Sequence, residues 1–219
     1  MKKLLALTLT MIMAFTLTAC GNNNRSTTNS GESTQIEKKE TGSSDIENKS
    51  DNQTQSNTAT RKILVAYFSH SGNTQVIANQ IHERVGGDIF EIKTVDPYPT
   101  DYNTLVDQAK QEQQDNYRPK LTTKVENMDS YDVIFVGYPN WWGTMPMAVF
   151  TFLEQYNFSG KTIIPFCTHE GSGLGRSVTD IKKLCPQSTI LDGLAIRGRN
   201  VKSAKEDVSA WLRKLGMIK

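Results

Sequence analysis

Lys62-Ile63-Leu64-Val65-Ala66-Tyr67-Phe68-Ser69-His70-Ser71-Gly72-Asn73-Thr74 is the stretch on which the reading of the fold turns. After its leading lysine the first part is an unbroken apolar run rich in strand formers, the pattern of a strand covered on both faces. The last six residues bring three hydroxyls, an Asn and one Gly. Residues 74–85 then set Val76, Ile77, Ile81 and Val85 on one helical stripe, and Gly86-Gly87 stops it. Strand, hydroxyl-rich loop and helix in that order leave free backbone N–H groups and the positive end of a helix dipole at the loop. Such an end holds a phosphate without Lys or Arg. The alternative is a plain turn with a helix N-cap, for which Ser, Asn and Thr are equally suited.

Outward from this stretch the pattern repeats. Residues 88–94 alternate as a second strand, and 101–114 read as a polar helix with few apolar anchors. Residues 131–138 form a third strand, apolar enough to be buried on both sides. Helix 147–156 follows, with Pro146 at its start where a missing N–H costs nothing. Residues 161–167 are a fourth strand, 177–184 a helix, 188–191 a short fifth strand, and 201–215 an amphipathic helix carrying Trp211. Five strands alternating with five helices predict an α/β, three-layer αβα sandwich around a five-stranded parallel sheet with right-handed crossovers. In the order 2-1-3-4-5, the first, third and fourth strands are neighbours, and ligands lie beyond their carboxyl ends.

Three loops leave those ends. The first is residues 69–74. The second is Tyr138-Pro139-Asn140-Trp141-Trp142-Gly143-Thr144-Met145-Pro146, and the third is Thr168-His169-Glu170-Gly171-Ser172-Gly173-Leu174-Gly175-Arg176. An indole stacks on a flat ring system, but two adjacent tryptophans cannot both face one ring, so one is expected to line a ligand and the other to pack or cover it. The glycine density of the third loop implies close backbone approach. Neither Gly-Lys-Ser/Thr nor Gly-x-Gly-x-x-Gly is present, which excludes the common triphosphate and dinucleotide loops. A monophosphate fits better.

A strand followed by Ser-x-Ser-Gly-Asn-Thr and a helix resembles the flavodoxin family, and the resemblance runs from about residue 62 to 215. Pro-x-Trp-Trp-Gly-x-x-Pro resembles its lipoprotein and small-flavoprotein branch. The resemblance implies the flavodoxin-like fold, noncovalent FMN, and electron transfer or flavin-dependent reduction. It assigns FMN contacts to Ser69, His70, Ser71, Gly72, Asn73 and Thr74 in the first loop. The second loop contributes Pro139, Asn140, Trp141, Trp142 and Gly143, and the third Thr168, His169, Gly171 and Gly173. His169 stands where short-chain flavodoxins often carry an aromatic, which implies a more open ring face. His169 and Glu170 are the candidate proton donors, since histidine titrates near neutral pH; an exposed loop histidine without that role is the alternative. Arg118, Arg197 and Arg199 are candidates for an anionic substrate.

The N-terminus supplies a setting. Met1-Lys2-Lys3, an apolar run over 4–17 and Leu17-Thr18-Ala19-Cys20 have the layout of a secretory signal. The ending at Cys20 resembles the bacterial lipoprotein box, which implies a signal peptide over 1–19 and lipid on Cys20. Residues 22–60 are almost devoid of apolar side chains and cannot offset their ordering entropy by burial, so 20–60 reads as a lipidated, disordered polar tether. Its six acids and four bases exclude a basic nucleic-acid arm. From residue 61 onward, 19 Lys and Arg face 17 Asp and Glu, too even a balance to select a charged partner. Cys167 and Cys185 lack metal-ligand spacing with the three histidines, and no metal is expected. They read as two buried thiols, with a bridge between them as the alternative.

Together these features predict an FMN-binding, membrane-anchored redox protein at the extracytoplasmic face, with a domain over 61–219. The alternatives are an NAD(P)H-dependent quinone or nitro-compound reductase using FMN, and a flavin-free surface binding module.

Overall fold

Burial on both faces is what the apolar run 63–67 demands, and it forms β1 (Ile63–Tyr67), an interior strand of a parallel sheet. The computed structural model describes residues 61–219; the expected signal peptide, Cys20 and the tether lie outside the described residues. In chain order the further elements are α1 (Asn73–Val85), β2 (Asp88–Glu91), α2 (Tyr102–Gln114), β3 (Val133–Pro139), α3 (Met147–Glu154) and β4 (Thr162–His169). Then follow α4 (Ser177–Leu184), β5 (Thr189–Ile190), β6 (Leu194–Arg197) and α5 (Lys205–Lys214). The sheet order is β2-β1-β3-β4-β5, all pairs parallel, as expected from the alternation of elements.

The fifth position differs from the expectation of one short strand. Two strands share it in series: β5 pairs with the start of β4 through Thr162 and Ile163, and β6 with its end, from Phe166 to His169. Gly193 lies in the break between them, where a Cβ would come within 2.9 Å of Leu174 and 3.1 Å of Pro165. The indole N–H of Trp211 donates to the carbonyl of Asp192 (2.9 Å) and fastens that break to α5. A 3-10 turn over Gly198–Ser203 replaces the first part of the expected last helix.

Each face of the sheet carries its own apolar cluster. Val65, Phe135, Ile164 and Phe166 meet Ile77 and Ile81 of α1 and Val208, Trp211 and Leu212 of α5. Leu64, Ile134, Val136 and Ile163 meet Leu105 of α2, Val149 and Phe152 of α3 and Ile181 of α4. This is the period of two that sends alternate side chains to opposite layers. The polar α2 forms because the Asp101 carboxylate accepts from the N–H of Thr104 (2.9 Å), capping its start, while Leu105 and Ala109 supply two buried anchors.

Cys167 and Cys185 are both free and buried. Burial pushes the Cys167 thiol up to about 12 and that of Cys185 up to about 11. The fold therefore prefers neutral thiols. The stability this contributes is complete below the ordinary value of 9.0 and is lost as pH rises from there through 11 to 12. Iodoacetamide at pH 8 is expected to leave both unlabelled in the folded chain and to label both in denaturant; rapid labelling of either in the folded chain contradicts their burial.

Candidate functional site

At the carboxyl end of β1 the chain turns through Ser69 and His70 into α1. Gly72, with φ of 86°, occupies the N-cap position, and no side chain caps the helix there. A Cβ on Gly72 would meet nothing within 4 Å, so the glycine is required by the left-handed backbone and not by crowding. The Ser69 hydroxyl accepts from the N–H of Gln75 (3.3 Å). Among the described residues, the backbone N–H groups from His70 to Thr74 have no hydrogen-bond partner. These donors cluster at the positive end of a 13-residue helix. The Thr74 side chain is buried instead, its hydroxyl 2.9 Å from that of Thr168 at the end of β4, and this contact ties the first loop to the third.

The second loop is a tight hairpin. Trp141 and Thr144 exchange backbone hydrogen bonds of 2.8 and 3.2 Å around Trp142 and Gly143, whose φ angles are 51° and 82°. Positive φ at both central positions is the mirror-image turn normally given to Asn-Gly or Gly-Gly. Gly143 suits it; Trp142 is strained there by roughly 1–2 kcal/mol. The turn settles which indole does what. Trp141 points inward, edge-on to Tyr98 (5.1 Å between ring centres), Phe68 (5.5 Å) and His70 (6.0 Å). Trp142 swings outward over α2, where its N–H donates to the carbonyl of Val106 (2.9 Å).

The third loop begins later than expected, because Thr168 and His169 remain in β4. Asn140 fastens it to the second: its backbone N–H donates to Thr168 (2.8 Å), its amide nitrogen to the carbonyl of Gly173 (2.7 Å), and its amide oxygen accepts from Gly143 (3.1 Å). Arg176 N–H donates to the carbonyl of Gly143 (2.8 Å), and the Thr144 hydroxyl to Asp180 (2.7 Å). Tyr138, fully buried, donates to the Ser177 hydroxyl (2.7 Å), which donates to Leu174 (2.6 Å). Burial holds the Tyr138 phenol well above its ordinary value, so it stays a neutral donor.

These loops enclose a cavity of about 340 Å³ at the carboxyl ends of β1, β3 and β4. It is lined by His70, Ser71, Asn73, Pro139, Asn140, Trp141, Thr168, His169, Glu170 and Gly171 from the expected set. Ser69, Gly72, Thr74, Trp142, Gly143 and Gly173 stand outside its walls and act on the backbone geometry or on neighbouring surfaces. Ser172, Gly198, Tyr102 and Leu105 also line it, and sequence reasoning missed all four. Tyr102 opens the polar α2, whose sequence has too little apolar periodicity to mark it. Gly198 follows β6, a strand that was not foreseen; a Cβ there would lie 2.3 Å from a carboxylate oxygen of Glu170 and 2.9 Å from the Asn73 amide. Glu170 therefore sits at the first-loop end of the cavity, and the Arg197 guanidinium donates to its carbonyl oxygen (2.9 Å). Arg118 is engaged elsewhere, by a bidentate pair with Glu154 (2.6 and 2.7 Å).

Two observations fit a phosphorylated, flat, polar-edged ligand. One is the set of unpartnered N–H groups at one end of the cavity, with no lining Lys or Arg. The other is the mixed wall beside them, apolar at Pro139 and Trp141 and polar at Asn140, Thr168 and His169.

The profile of the flavodoxin family matches residues 62–215. Among solved structures, the chain is similar to a candidate flavoprotein from Bacteroides eggerthii, with 36% identity over 71% of this chain and 98% of that one and a TM-score of 0.63. A candidate flavoprotein from Bacteroides uniformis is 31% identical over 70% of this chain and 98% of that one, again with a TM-score of 0.63. A Lactobacillus acidophilus flavoprotein solved in complex with FMN is 24% identical over 68% and 99%, with a TM-score of 0.56. Comparison with curated proteins gives no match. With the family profile spanning the whole sheet and its helices, and the strand order β2-β1-β3-β4-β5 beneath the three loops, this chain belongs to the flavodoxin family.

Proposed function

We propose that this protein binds FMN in the cavity between the three loops and serves as a redox protein tethered to the outer face of a bacterial membrane. The observation that carries the reading is the row of unpartnered N–H groups from His70 to Thr74 at one end of a cavity whose other walls include Trp141 and His169. The FMN complex of the Lactobacillus acidophilus relative supports it. The N–H groups of the first loop, with the Ser71 hydroxyl and Asn73 amide, hold the phosphate. Trp141 gives an apolar wall, and His169 would give a polar one. The bound flavin supplies one- and two-electron chemistry.

The chain's own part is to exclude water and to hold these groups still. Asn140, Arg176 and Thr144 lock the second and third loops together, so the walls need little reorganisation when the ligand enters. Lipid on Cys20 and the polar stretch 20–60 place this domain at the extracytoplasmic surface. Two acyl chains anchor firmly where one would bind only reversibly.

The purified full chain is expected to be yellow, to release one FMN per chain on denaturation, and to carry a diacylated N-terminus at Cys20. A colourless chain that ignores added FMN contradicts the cofactor assignment; a mature N-terminus other than Cys20 contradicts the anchor. Sustained turnover of a quinone with NADH would move the protein from carrier to reductase.

A further inference from the structure

We propose that the Glu170 carboxylate works against the phosphate of FMN, most strongly when that phosphate is doubly ionised, and so ties the hold on the cofactor to pH; this rests on reading the three-loop cavity as an FMN site. Among the described residues, Glu170 is the one acidic side chain in the cavity wall, and no Lys or Arg stands in that wall to balance it. Its place is fixed from two sides. The Arg197 guanidinium donates to its backbone carbonyl at 2.9 and 3.2 Å. Its side chain lies over Gly198, where an added Cβ would stand 2.3 Å from a carboxylate oxygen and 2.9 Å from the Asn73 amide nitrogen. The carboxylate therefore shares one small space with an amide of the first loop, and the lack of a side chain at position 198 is what leaves room for both.

Among the described residues that carboxylate has neither a hydrogen-bond donor nor an ion-pair partner. Arg197 of β6 is engaged by the carbonyl instead, and Arg199, beyond Gly198, is exposed and does not line the cavity. A phosphate that enters the cradle thus meets the N–H groups of the first loop together with an unbalanced like charge. A like charge at short range disfavours the more ionised form of its neighbour. The second ionisation of a phosphate monoester falls near pH 6, so the repulsion is close to full at pH 8 and about halved at pH 5. Glu170 is exposed, and solvent keeps the effect to roughly 10-fold in affinity. His70 and His169 line the same cavity, but they are common to wild type and Glu170 variants, so a comparison between these cancels their titration.

The test titrates the flavin-free full chain with FMN and with riboflavin at pH 8 and pH 5, as wild type, Glu170→Gln and Glu170→Ala. At pH 8 both variants are expected to bind FMN about 10-fold more tightly than wild type, and at pH 5 the gain is expected to shrink to about 3-fold or less. Riboflavin carries no phosphate, and its affinity is expected to change less than about 2-fold at either pH. Gln keeps the shape of the side chain and can itself donate to a phosphate, whereas Ala cannot, so a gain common to both belongs to the lost charge. FMN affinity unchanged or weakened in both variants at pH 8 overturns the inference. So does a gain confined to Glu170→Gln, a gain of equal size at the two pH values, or an equal gain for riboflavin. A wild-type chain that takes no FMN overturns the cofactor reading itself and is seen before any variant is compared.

Discussion

Gly137→Ala is expected to destabilise the fold by about 3 kcal/mol, the upper part of the usual range for forcing a methyl group into a packed core. Gly137 lies in β3 directly opposite Phe166 of β4. A Cβ built on it would sit 2.1 Å from the tip of the Phe166 ring and 2.3 Å from a second ring atom. The ring is fully buried among Ile164, Phe135 and the side chains of α1 and α5, so it has no free volume to turn into. The glycine is there because Phe166 lies across it. At 2–4 °C per kcal/mol for a domain of this size, the melting temperature should fall by about 10 °C. Phe166→Leu in the same chain should recover part of that loss, since the two positions share one volume and their effects will not add. Thermal unfolding of the two single variants and the double variant checks this. A Gly137→Ala chain melting within about 2 °C of wild type contradicts the packing described here.

The second large effect falls on binding. Gly175→Val is expected to weaken FMN at least 100-fold while leaving most of the fold's stability in place. Gly175 has φ of 55°, and a Cβ on it would approach the carbonyl oxygen of Gly143 to 2.2 Å. Both partners are backbone, so the clash is relieved only by parting the third loop from the Trp hairpin. That motion breaks the Arg176–Gly143 hydrogen bond and disturbs the Asn140–Gly173 contact. Shifting the walls that Asn140 and Trp141 give the cavity forfeits preorganised contacts of roughly 1 kcal/mol each, and about three of them amount to the order of 100-fold. Flavin fluorescence titration reads the affinity and circular dichroism the fold. An unchanged FMN affinity would mean that the junction of these loops does not shape the site.

Much of this arrangement was legible in the sequence, for identifiable reasons. The buried runs at β1, β3 and β4 carry strand composition without ambiguity. The hydroxyl loop, the Trp hairpin and the glycine-rich loop were placed at three adjacent strand ends by order alone. What escaped was set by tertiary contact. β6 is a four-residue strand whose only signal is Leu194-Ala195-Ile196, and it exists because the end of β4 offers an unpaired edge. Its neighbour Gly198 enters the cavity as a consequence. Tyr102 belongs to a helix with little apolar periodicity, so nothing local revealed that its first turn would close over the site. The division of labour between Trp141 and Trp142 was foreseen as a requirement, but which indole faced inward depended on the mirror-image turn that only the backbone angles reveal.

The account stands on the first loop as a phosphate cradle, and the most direct measurement compares FMN with riboflavin, which differs from it by that phosphate alone, on the same flavin-free full chain. Charge-assisted hydrogen bonds contribute roughly 1.5–3 kcal/mol each, so two of them from the N–H groups of residues 70–74 should make FMN at least 100-fold tighter. Equal affinity for the two flavins, within about 3-fold, would contradict the phosphate cradle.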